Sequence, residues 1–72
     1  MQAYDSVLKA VDSRFDVRGS DLSQLVMMCL DNQGKVSQHR RKQFRYRVQE
    51  EIFDYIEEQA QLALSRTDEQ RE

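Results

Sequence analysis

The chain has 72 residues, with 11 Lys and Arg against 13 Asp and Glu, no proline, two glycines and one cysteine. A chain this short folds as one domain at most and hides only ~60–65% of the surface its unfolded form exposes, so its stability margin is thin. Scarce turn residues exclude a many-stranded β fold, the lone Cys29 excludes an internal disulfide or a cysteine-built zinc site, and the longest apolar run, Leu25–Leu30, is too short to span a bilayer.

Ala3, Tyr4, Val7, Leu8, Val11 and Phe15 recur at helical spacing and predict a first helix over 3–15, with Asp5, Lys9 and Asp12 on its wet face. Asp16 to Ser20 break the pattern. Ser20 or Asp21 supplies a cap, and Asp21 with Gln24 resembles a capping box. A second helix follows over 21–32. Leu22, Leu25, Val26, Cys29 and Leu30 form its stripe, widened by Met27 and Met28, and such a broad apolar surface suits the centre of the domain. Gly34 is expected as the left-handed residue that ends it.

Ser37 is a good N-cap for a short third helix over 38–45. One continuous helix from 38 to 65 would be a rod of about 40 Å, too long for so small a body. The charges place a break near Arg45–Arg47: bases gather where one helix would end, and Glu50 and Glu51 sit where the next would begin. The fourth helix, 48–65, turns Val48, Ile52, Phe53, Ile56, Ala60, Ala63 and Leu64 inward. The expected fold is therefore all-α, a compact three- to four-helix bundle with helix-turn-helix-like character over 1–65. Residues 66–72 read as a frayed polar tail. A leftover apolar strip with Phe53 or Tyr55 would suit a homodimer.

Charge is distributed in two poles. Six of the eleven bases lie between Lys35 and Arg47, a stretch without an acid, and five acids with no base follow from Glu50 to Glu58. The basic stretch is the candidate binding surface. Lys35, Arg40, Arg41, Lys42, Arg45 and Arg47 would meet an anion, with Gln38 and His39 beside them. The partner expected first is a protein or a domain of a parent chain. A nucleic acid is the alternative, because helix, glycine turn and basic helix outline a helix-turn-helix. Against it, positions of that outline that should be apolar fall on Arg40 and Gln43. The plainest reading is a solvated face pairing with Glu50, Glu51 and Asp54. Nothing in the chain provides a nucleophile with its base, a metal cluster or a phosphate loop, so no enzyme, cofactor or metal is expected. With one unpaired thiol and no membrane partner, a cytoplasmic location is the default expectation.

The residues from Leu25 to Ser37, followed by Arg40-Arg41-Lys42-Gln43-Phe44 and Glu50-Glu51-Ile52-Phe53, resemble a helical segment in the C-terminal part of some bacterial Fic-type proteins. The shared pattern is an apolar helix, Asn-x-Gly-x-Val-Ser, a Lys/Arg-rich run with Phe, then Glu-Glu-Ile. Fic proteins are AMP transferases with the motif His-x-Phe-x-(Asp/Glu)-Gly-Asn-Gly-Arg, which this chain lacks. The resemblance implies a non-catalytic accessory domain and carries over no catalytic residue.

Overall fold

The computed structural model describes residues 2–70, with side chains through Arg66. Its four helices are α1 (Gln2–Asp12), α2 (Gly19–Asp31), α3 (Gln38–Phe44) and α4 (Glu50–Gln70). The all-α bundle and the interruption between the third and fourth helices agree with the periodicity and the charge pattern. α4 runs on through Gln70, so the backbone expected to fray from residue 66 is helical, while residues 71 and 72 lie outside the described part.

α1, α2 and α4 pack against one another, with α1 lying chiefly along α4. Val7 and Val11 of α1, Leu22, Leu25, Val26 and Cys29 of α2, and Phe53, Ile56 and Ala60 of α4 are buried at the common centre. α2 does not stand alone at the middle, as its broad stripe suggested. Met27 is 47% exposed, so one edge of that helix is wet. Phe53 is 1% exposed and belongs to this core, not to a leftover strip. Tyr55 is half covered, with its ring edge-to-face to Phe15 at 5.6 Å and Arg14 stacked on it at 4.6 Å. Phe15 thus packs from the loop beyond α1, which ends at Asp12 rather than at residue 15. Among the described residues, the large apolar side chains left exposed are Met27, Tyr46 and Leu62.

Helix ends explain two further departures. α2 starts at Gly19 with Arg18 before it and no side-chain cap; Asp21 is buried and employed elsewhere. At the other end, the Gly34 N–H donates to the Cys29 carbonyl at 2.7 Å, the long bond of a Schellman ending. The left-handed residues there are Gln33 (φ 57°) as well as Gly34 (φ 81°). Ser37 caps α3 as anticipated, its Oγ accepting from the Arg40 N–H at 3.2 Å.

α3 lies at the margin of the three-helix core. Phe44 is its one apolar residue, and Val36 before it and Val48 after it are buried with it. The turn 32–37 is tied down by polar groups of α4. Gln61 Nε2 donates to the carbonyls of Gln33 and Gly34 at 3.0 and 3.2 Å.

Glycine is required at only one of its two positions. A Cβ on Gly34 would sit 2.5 Å from Gln61 Nε2 on a left-handed backbone, whereas one on Gly19 meets nothing within 4 Å. Gly34→Ala should therefore cost about 1–2 kcal/mol, and Gly19→Ala should be neutral or stabilise by up to ~1 kcal/mol. Chemical denaturation midpoints check both, and equal effects would mean that the α2–α3 turn is drawn wrongly.

Candidate functional site: a basic segment divided between core and surface

The turn and α3 carry the acid-free segment, and the fold sorts its bases into two sets. Arg41 leaves the surface altogether. It is 9% exposed, and its Nε donates to the Val36 carbonyl at 3.1 Å. Its two terminal nitrogens meet three carboxylates of α4. One is Glu50; the others are Asp54 and Glu57, each at 3.0 Å. Glu57 also accepts from the Val36 N–H at 2.8 Å, so one carboxylate holds both the guanidinium and the turn leading into α3. The guanidinium lies over the Phe53 ring at 5.4 Å. Burial works against its charge, but the hydrogen bonds it donates to Glu57, Glu50 and Asp54 outweigh this and hold the group above its ordinary pKa.

Glu50, Asp54, Glu57 and Gln61 recur along α4 at i, i+4, i+7 and i+11, which places them on one side of that helix. This polar stripe is what α3 and its preceding turn dock on. Three of these α4 acids form a seat for Arg41, with Glu50 and Asp54 still largely exposed and Glu57 mostly covered. Of the expected pairing with Glu50, Glu51 and Asp54, the Glu50 and Asp54 contacts are present, concentrated on one guanidinium and joined by Glu57, whereas Glu51 enters none of these ion pairs.

Arg47 is the second base engaged by an acid of the fold. Its Nε donates to Asp21 Oδ2 at 2.9 Å, and its guanidinium lies over Phe44 at 5.4 Å. The Asp21 side chain is 7% exposed and that of Arg47 52%, so the acid is the buried partner. This pair joins the first turn of α2 to the α3–α4 connection. A carboxylate there also suits the positive end of the helix dipole.

The second set stays outside. Lys35, Lys42 and Arg45 are exposed, Arg40 is half-buried, and none of the four forms an ion pair with a described residue. Gln38 and His39 are exposed beside them. Arg40 reaches Gln43 Oε1 at 2.9 Å. Arg45 stacks on Tyr46 at 4.8 Å and donates to its hydroxyl at 2.7 Å. Tyr46, absent from the sequence-derived site, is 82% exposed. Lys35 and Arg40 line a groove of about 370 Å³ together with Met28, Asp31 and Asn32.

Cys29 is buried, and that burial with the nearby Glu57 charge pushes its thiol up to about 11, against the opposing pull of Arg41. It is a core residue with little thiolate at neutral pH. Among the described residues, no group of His, Cys, Asp and Glu could hold a metal ion, and no helix is long and apolar enough to cross a membrane.

No family model, no curated protein and no solved structure matches the chain. The Fic-type resemblance consequently rests on the quoted residues alone.

The division of the bases has direct consequences for stability. Arg41→Ala should cost about 2–4 kcal/mol, less than a fully buried pair because Glu50 and Asp54 recover water. Lys42→Ala should stay within about 0.5 kcal/mol. Urea midpoints decide, and an Arg41 variant as stable as the Lys42 variant would place that guanidinium in solvent. In parallel, native Cys29 should resist a thiol reagent until the chain is unfolded in guanidinium. Labelling as fast as that of a free thiol would contradict its burial.

Proposed function

We propose that the chain is a non-catalytic helical interaction module whose contact surface is the outward half of the basic segment, and that its partner is an anionic protein surface. One observation carries this reading: Lys35, Arg40, Lys42 and Arg45 lie in the acid-free stretch and form no ion pair with a described residue. Unneutralised charge of one sign steers and orients a partner of the other sign. Through its resemblance to Fic-type proteins, the module would act beside an AMP transferase domain, in the same chain or in a separate one.

A nucleic acid is the competing partner, on the same four cations. The geometry around them favours the protein. The link from α2 to α3 spans residues 32–37, longer than the 3–4-residue turn of a helix-turn-helix. α3 has only seven residues, and Arg41 and Phe44 point it inward at its middle and end. Next to it, the seat of Arg41 holds two more negative charges than it neutralises. That surplus would repel a long duplex, whose charges run past the four cations, more than a short acidic segment.

Titration of a labelled DNA duplex at low and physiological salt separates the two. The protein reading expects no saturable binding at either salt. Phosphate recognition instead predicts affinity falling with salt, with a log–log slope of about 0.9 for each phosphate contact. Saturable binding with such a slope would replace the proposed partner by DNA.

A further inference from the structure

The outward face of the basic segment is more than a patch of charge, because a large aromatic side chain lies within it. Tyr46 is the most exposed of the large apolar residues described, at 82%. It has no place in the core, yet it is not loose: the Arg45 guanidinium stacks on it at 4.8 Å and bonds its hydroxyl at 2.7 Å. Arg45 and Tyr46 therefore form a flat, cationic ledge at the α3–α4 connection. The ledge rests on an ordered base, since the next residue, Arg47, is held by Asp21 and Phe44. Towards the start of α3, Lys35 and Arg40 line the groove with Met28 and Asp31. Exposed Lys42 lies between the two ends in sequence.

We infer that this ledge anchors a short acidic segment of a protein partner. The inference rests on the proposed function and specifies the partner's chemistry. Tyrosine and arginine are the residue types that most often dominate binding energy, because each combines a wide contact area with hydrogen bonding. An arginine stacked on its neighbour is also pre-oriented to take a carboxylate in a forked contact. Two or three carboxylates in such a segment match the cations available. Apolar side chains between them would cover the Tyr46 ring. Asp31, which lines the groove with Lys35 and Arg40, disfavours an unbroken run of acids, so the matching sequence alternates acidic and apolar residues.

The test uses a labelled short peptide alternating glutamate and leucine, with polyglutamate and a short oligothymidylate strand as competing probes. Anisotropy is read for the full chain and for the Tyr46→Ala and Lys42→Ala/Arg45→Ala variants. The residues changed are exposed, so an unchanged melting temperature confirms folding in each case. Saturable binding of the alternating peptide is expected, tighter than of polyglutamate. It should weaken about fivefold or more in Tyr46→Ala and about tenfold or more in the double variant. If Tyr46→Ala binds as well as the parent, the ledge is no anchor, while the charged-face reading stands. Tighter binding of the oligothymidylate would overturn both in favour of nucleic acid. Failure of all three anionic probes to bind at low salt would remove the ledge together with the charged-face reading.

Discussion

The Arg41 guanidinium closes the space between α3 and α4 that apolar side chains leave unfilled. A buried cation is costly unless its hydrogen bonds are made, and here they are: one to the Val36 carbonyl, the others to Glu50, Asp54 and Glu57. Guanidinium suits this place because it is planar, forked and permanently charged, and because its face lies against the Phe53 ring. Glu57 completes the arrangement by taking the Val36 N–H as well. This contact set is one of those that position α3.

Two kinds of force thus divide the molecule. α1, α2 and α4 are joined by apolar burial, which is insensitive to orientation and draws the helices together wherever their stripes meet. α3 brings one apolar residue, Phe44, to that core and depends on directed polar bonds for the rest. Gln61 on the Gln33 and Gly34 carbonyls, Glu57 on Val36 and Arg47 on Asp21 all hold the segments that flank it. Directed bonds fix register more sharply than apolar packing does. They give α3 a defined outward face even though it buries little surface.

That sorting shapes the functional reading. Counted along the chain, the segment from Lys35 to Arg47 offers six bases to a partner. In the folded protein Arg41 is withdrawn and Arg47 is half engaged, while Tyr46 joins the remainder. A compact cationic face with an aromatic ledge, bordered by surplus carboxylates, suits a short acidic contact better than an extended polyphosphate. The proposed role as an accessory module agrees with this scale, since a seven-residue helix presents little area by itself.

The periodicities of α1, α2 and α4, the Ser37 cap and the interruption between the last two helices were all legible from residue order. Each depends on neighbours within a few positions, and local spacing carries that information. Phe15 was legible as apolar but was placed in a helix that stops at Asp12, because its packing partner Tyr55 lies forty residues on. Asp21 looked like a cap for the same reason, its counter-ion Arg47 being remote in sequence. The stripe Glu50, Asp54, Glu57 and Gln61 was present in the letters as a helical repeat, yet nothing local distinguished an internal seat from a wet face. By itself the sequence determined which residues form helices and which sides of them are oily, since those are short-range properties of the chain. Only the tertiary structure decided that Arg41 turns inward while Lys42 beside it stays in water, because the carboxylates that make the difference arrive from another helix.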